Sequence, residues 1–175
     1  MKNNTLELNI TYEKSLDKIF GFNVENITKR VLTEAMLIEK VPFDISINVS
    51  IVADKKIKNI NKEERNIDKV TDVLSFPVVD LKKPATYNVF YKNKKLDIDY
   101  LDLDTNTVFM GDIVINKNRV LSQSKLYNHS IKREYAFLLT HSFLHLVGFD
   151  HMKKNDEEKM CIEQEKILTK LKISR

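Results

Sequence analysis

Near the start of the chain Leu6, Leu8, Ile10 and Tyr12 alternate with Glu7, Asn9 and Thr11, the period of two that marks a strand with one buried face. Residues 14–39 change to helical spacing. Ile27, Val31, Ala35 and Ile38 form an apolar stripe, Gly21 to Asn23 divide the segment into two pieces, and Pro42 closes it. The clearest strand follows, with Ile45, Ile47, Val49 and Ile51 alternating against Ser46, Asn48 and Ser50. Asp54 is placed to cap a short helix carrying Ile57 and Ile60. Val73 to Val79 and Asp112 to Asn116 read as two further strands. Between them, residues 80–109 mix Lys, Asp, Asn and Tyr without sustained periodicity, which predicts a long surface hairpin or mobile loop flanking a cleft. Helical spacing returns at 117–127 and at 131–147, where Tyr135, Leu138, Leu139, Phe143 and Leu146 predict a largely buried helix. Asn155 with Glu158 resembles a capping box opening a last amphipathic helix that runs to about Leu171.

Four strands with most helices between or after them predict an α+β fold of mixed layers: one small sheet of about four strands packed with helices, the 131–147 helix central. The strand order cannot be read from this pattern. At 175 residues, 42% hydrophobic and 31% charged, the chain suits one core, so residues 1–175 are expected to form a single domain. No segment reaches the length of a membrane span, and MKNNTLELNITYEK lacks the apolar stretch of a signal peptide, so a cytoplasmic protein without a membrane partner is expected. The single cysteine, Cys161, excludes an internal disulfide; its neighbours Met160, Ile167, Leu168 and Leu171 suggest a core position. A net charge of +4 is compatible with RNA but is weak evidence by itself, and without an Arg-rich or Gly-rich run RNA would need a folded cleft.

Three of the four histidines fall within His141-Ser142-Phe143-Leu144-His145-Leu146-Val147-Gly148-Phe149-Asp150-His151. His141 and His145, four apart, project from one face of a helix. Gly148 permits the left-handed turn that could return His151 to their side. The HxxxH pair alone fits two core histidines equally well; the third favours a metal site. Three imidazoles leave a fourth zinc position open, the pattern of a catalytic rather than a structural site. One zinc ion is expected, although nickel or another imidazole-friendly divalent metal would suit the same donors. The spacing equals that of the metzincin peptidases, HExxHxxGxxH, but Ser142 stands where their glutamate base belongs and cannot take a proton near neutral pH. His129 lies outside the motif and is expected at the surface near a helix start, not as a ligand.

Asn61-Lys62-Glu63-Glu64-Arg65 precedes Thr71-Asp72-Val73-Leu74-Ser75-Phe76-Pro77, and Gly111-Asp112-Ile113-Val114-Ile115-Asn116 follows. With the histidines, this ordered set resembles the YbeY family of bacterial metal-dependent endoribonucleases, which act in ribosomal RNA maturation and carry the motif HGxLHLxGxDH. The resemblance runs from about residue 45 to the last helix. Ser142 replaces the usual glycine, where it could crowd a surface near the metal, and Val70 a common proline; neither removes a ligand. The resemblance implies a phosphodiester hydrolase, selective for single strands, working in ribosomal RNA processing and ribosome quality control. It implies His141, His145 and His151 as metal ligands and Arg65 as the catalytic arginine, a role suited to a guanidinium that neutralises nonbridging phosphate oxygens. Thr71, Asp72 and Ser75 could orient the ligands or the arginine, or simply turn the chain into a strand. Asp112 and Asp150 could hydrogen-bond an imidazole or act as base, or be structural. The nucleophile stays open between water and the RNA 2′-hydroxyl. Expected partners are single-stranded RNA, ribosomal RNA above all, and ribosomal particles or proteins. Two alternatives are a ribosome assembly factor in which the metal mainly staples the fold, and a cytosolic metallopeptidase.

Overall fold

Alternating apolar residues at 6–11 and 45–52 turn one face of each segment inward, and this pattern starts the sheet seen in the computed structural model, which describes residues 4–173. In chain order its strands are β1 (Leu6–Thr11), β2 (Ile45–Val52), β3 (Val73–Pro77), β4 (Tyr91–Lys92), β5 (Lys95–Leu96), β6 (Leu101–Asp102) and β7 (Thr107–Asn116). The main sheet runs β1-β2-β7-β3, with β6 also paired to β7. β1, β2 and β7 are parallel, whereas β3 and β6 run antiparallel to β7. Except at Phe109 and Asp112, β7 is buried along its whole length, as a central strand covered on both faces must be. It begins at Thr107, five residues before the segment its Ile-Val-Ile run suggests, because Thr107 and Val108 pair with β6 while Val108 and Phe109 pair with β2. The register of β7 against β2 shifts between Ser46 and Ile47, leaving Met110 as the extra residue of a bulge. Gly111 follows it with φ 137°, and a Cβ there would lie 2.1 Å from the Phe76 carbonyl oxygen, so no other residue fits without moving β3.

The helices are α1 (Leu16–Phe20), α2 (Val24–Ile38), α3 (Asp54–Arg65), α4 (Lys117–Leu126), α5 (Ile131–Leu146) and α6 (Lys154–Lys170). Gly21 ends α1 in the left-handed conformation, and Asn23 caps α2 through the Asn26 amide, so the break falls where the glycine predicts it. α5 lies against α2, α6, β3 and β7, and its Tyr135, Leu139 and Phe143 are fully enclosed. The histidine-bearing helix is therefore the centre of the core, and the α+β expectation holds. No helix among the described residues is long and apolar enough to cross a membrane.

Several local expectations are corrected. Asp54 does not cap α3: Ala53 holds that position, and the Asp54 carboxylate instead accepts from the Asn116 and Asn118 amides. α6 starts at Lys154 without a side-chain cap, earlier than the Asn155 box predicts; Asp156 and Glu157 in its first turn complement the exposed amides. Cys161 is exposed, because it sits about 100° around α6 from buried Met160. His129 is not a free surface residue; its Nε2 lies 3.0 Å from Glu134 Oε2, and Glu134 is itself buried. Residues 80–109 do contain a small hairpin, β4 with β5, but Leu81, Tyr87 and Phe90 are buried and join the main core, so the segment is packed down rather than a loose loop.

Glu39, at the end of α2, is 7% exposed, and its Oε1 has no hydrogen-bond partner among the described residues. Burial first, and the Glu163 carboxylate second, push its pKa up to about 7. The folded-state value lies above the unfolded one, so the unfolded chain releases this proton first. Stability therefore falls as pH rises from about 4.5 to about 7, and the cost is complete above that window. Glu39→Gln is expected to stabilise the protein at pH 8, by an amount on the order of 3 kcal/mol at most, with the gain fading by about pH 4.5. Urea unfolding at both pH values checks this; an equal gain at each would show that ionisation of Glu39 is not responsible.

Candidate metal centre

The last two turns of α5 carry His141 and His145 on one face, and the chain reverses directly after them. Val147 N donates to Phe143 O, Gly148 N to His145 O, and Phe149 N to Leu144 O, while Gly148 adopts φ 86°. The reversal is packed tightly: a Cβ on Gly148 would lie 2.7 Å from Leu81 Cβ, and Ala85 N donates to Val147 O. It delivers His151 opposite the helix, where its amide donates to Asp150 Oδ1 at 2.7 Å. Ring centroids are then 4.7 Å apart for His141 and His145, 5.4 Å for His141 and His151, and 5.0 Å for His145 and His151. The glycine turn does what its place in the sequence suggests.

One nitrogen from each ring lies within 4.8 Å of the others, a group able to hold a metal ion. The donors fit such an ion chemically. His145 Nδ1 donates to the Phe149 carbonyl at 3.0 Å, which leaves Nε2 with a free lone pair facing His141 Nε2 at 3.1 Å. Tetrahedral zinc with bonds of about 2.0–2.1 Å needs donors roughly 3.3 Å apart, close to this separation. Burial first, then the neighbouring imidazoles His145 and His151, lower the His141 pKa to about 4. His145 is lowered by burial and by His151 as well. Both rings are therefore neutral near pH 7, the form that binds metal.

A cleft of about 460 Å³ opens over these rings, lined by Arg65, Thr71, Asp72 and Ser75 on one side and by His141, His145, Asp150 and His151 on the other. Arg65 is the last residue of α3, which lies against β3 and β7, and β3 is an edge strand. Asn116 N donates to Asp72 O and Val78 N to Met110 O, so the intervening odd-numbered residues of β3 turn their peptide groups to the free edge. Arg65 Nη2 reaches that edge, donating to Ser75 O at 2.9 Å, and its guanidinium lies 5.4 Å from the Phe76 ring centroid. Its charge is felt at His145, whose pKa it lowers slightly further. Asp72 is held from three sides, by Val73 N, Thr71 Oγ1 and Gln123 Nε2, and acts through space to raise the His141 pKa.

Eight of the nine site residues named from the sequence thus share one cleft. Asp112 does not; it accepts a hydrogen bond from Asn48 Nδ2 across the sheet. Ser142 is fully buried, its hydroxyl without a partner among the described residues, so it does not face the cleft and crowds no surface there. Two residues were missed. Asn116 caps α4 and its amide ties the Thr71 carbonyl to the Asp54 carboxylate; an Asn ending an apolar strand just before a helix was its legible signal. Gln164 is buried on the inner stripe of α6, donates to Phe137 O at 3.1 Å, and raises the His141 pKa by hydrogen bonding. A polar residue at a core position of an amphipathic helix marked it.

The family model described as Endoribonuclease YbeY matches residues 9–172. A protein named Endoribonuclease YbeY from Lachnoclostridium phytofermentans is 39% identical over 168 residues, covering 96% of this chain and all of its own. One of the same name from Clostridium botulinum is 41% identical over 150 residues, covering 86% of this chain and 89% of its own. Among solved structures, the solution structure of TM1509 from Thermotoga maritima aligns with a TM-score of 0.55 at 20% identity, covering 96% of this chain and 92% of its own, which shows the fold to be shared.

Proposed function

The chain belongs to the YbeY endoribonuclease family, and on that premise we propose that it cuts the phosphodiester backbone of single-stranded RNA, with His141, His145 and His151 holding a divalent metal and Arg65 acting on the phosphate. The observation that carries this reading is the meeting of the three imidazoles and one guanidinium in a single cleft. A bound metal would supply Lewis acidity, polarising a phosphoryl oxygen and acidifying water. The chain supplies the rest. The Phe149 carbonyl holds His145 in the tautomer that presents Nε2. One Arg65 donor rests on Ser75 O, so the remaining N–H groups are aimed before substrate arrives and can take nonbridging oxygens as charge develops there. Asp72 and Asp150 line the same cleft and are the carboxylates placed to receive a proton from an attacking hydroxyl; Thr71 and Ser75 shape its wall.

The role extends, on this proposal, to ribosomal RNA maturation and quality control in the cytoplasm, with zinc as the metal and ribosomal particles as partners. Single-strand selectivity is part of the same proposal, because an unstacked strand can offer its backbone to a folded cleft more readily than a stacked duplex. The peptidase reading gains nothing from the structure, since the residue after His141 is a buried serine. The test is to incubate zinc-loaded protein with a single-stranded ribosomal RNA fragment, its duplex form and casein, with and without a chelator. Cleavage of the single strand alone, abolished by chelation, is expected. Casein cleavage, or RNA cleavage indifferent to the chelator, would overturn the proposal, and metal and ribosome binding without any RNA cleavage would favour the assembly factor.

A further inference from the structure

The metal cleft continues beyond His145. His145 and Asp150 also line a second depression of about 680 Å³, whose opposite wall is the segment 80–84. Phe149 and Lys159 in turn line a third, of about 850 Å³, between the end of α2 and α6. The wall that joins them is firm, because Leu81 packs on Gly148 and Ala85 N donates to Val147 O, on the same turn that positions His151.

The side chains along this path have two chemistries. Lys82, Lys83, Lys153 and Lys159 stand in the second depression, and Lys40 and Lys166 in the third. Asp80 and Asp156 face Lys82 and Lys159, at 3.8 and 3.3 Å, in exposed pairs that cost little to loosen when a phosphate competes, whereas Glu163 holds Lys166 at 2.8 Å and Glu39 lines the same depression; Lys83, Lys153 and Lys40 have no ion-pair partner among the described residues. The third depression adds apolar area: Tyr91 is 37% exposed with its ring held 6.2 Å from that of Phe43, and Ile162 is 65% exposed nearby. Lysines spaced along a groove that ends in immobilised aromatic surface match a single nucleic-acid strand, in which phosphates need cations and bases need flat apolar faces.

We infer that the three depressions form one track for single-stranded RNA, in which phosphates beyond the cut position run along Lys82, Lys83 and Lys153 and a base farther along lodges against Tyr91. This rests on the endoribonuclease reading and adds to it a binding site remote from the metal. Of its residues, Lys82, Lys83 and Tyr91 lie in the segment 80–109 and Lys153 just past His151, outside the three sequence elements that carry the family resemblance.

Fluorescence anisotropy with labelled single-stranded RNA of about 4 and about 12 nucleotides, the range such grooves span, tests it in the zinc-loaded protein across several salt concentrations. The wild type binds the longer RNA at least about tenfold more tightly. Tyr91→Ala removes about tenfold of the longer RNA's affinity, Tyr91→Phe restores it, and Lys82→Ala with Lys83→Ala lowers the salt slope by about 0.7 for each lost phosphate contact. Affinity for the shorter RNA stays within twofold in every variant. An undiminished length advantage in the variants would overturn the track while leaving the cleft's reading intact, and equal losses for both lengths would assign the effect to a damaged fold and overturn it too. Wild-type protein that binds neither RNA would overturn the endoribonuclease reading as well, and a second protein captured on this face in place of RNA would overturn the track alone.

Discussion

Arg65→Ala is expected to keep its metal and lose RNA cleavage by roughly 10²–10³-fold, the cost of removing one preorganised charge-stabilising donor. The size follows from where the guanidinium sits. It is fixed by Ser75 O at 2.9 Å and by the Phe76 ring, so it incurs little reorganisation when negative charge grows on phosphate. Arg65 is exposed at the end of α3 and none of its hydrogen bonds goes to a histidine, so the three nitrogens stay in place when it is removed. Arg65→Lys restores only part of the rate, because an ammonium cannot hold the Ser75 carbonyl and grip two phosphate oxygens in one plane. Single-turnover rates with metal content measured on the same samples decide the matter. A variant within twofold of wild type would remove Arg65 from the mechanism, and one that loses its metal would make it a positioning group for the histidines.

His141→Ala is expected to fail earlier, at the ion itself. Structural zinc sites with four protein ligands bind with about 10–16 kcal/mol, roughly 2.5–4 kcal/mol per ligand, so losing one imidazole is expected to weaken zinc by roughly 10²–10³-fold and to leave no cleavage at ordinary metal concentrations. His141 is already neutral near pH 7, because burial and its two neighbours lower its pKa to about 4, so protons do not compete with the metal until the solution is acidic. Chelator competition measures the affinity, and atomic absorption the stoichiometry. Retention of one tightly held ion by His141→Ala would mean that the three-nitrogen group is not the metal site.

The apolar periodicities located β1, β2, α2, α4, α5 and α6, because burial on one face leaves a direct trace in spacing. Cap and boundary residues were less legible. Asp54 looks like a cap for α3, yet the Asn116 and Asn118 amides claim its carboxylate from 62 and 64 residues away. Cys161 looks like core from its apolar neighbours at helical spacing, but one residue of helical rotation from Met160 exposes it. The segment 80–109 has no period because its buried residues, Leu81, Tyr87 and Phe90, are anchors on an irregular path and not a repeating face.

The histidine spacing by itself pointed to the meeting of the three imidazoles. His141 and His145 are neighbours on any helix, and Gly148 permits the turn that returns His151, so these contacts span only eleven residues, although Leu81 and Ala85 pack on the turn. Arg65 is a different matter. It lies 76 residues from His141 in the chain, and its place in the cleft depends on β3 pairing antiparallel at the edge of β7, on the bulge at Met110 with Gly111 beside Phe76, and on α3 packing against those two strands. None of these leaves a spacing signal, because strand order and edge position arise from contacts between distant segments. A family resemblance could single out Arg65, but only the tertiary structure could place its guanidinium in the same cleft as the three nitrogens.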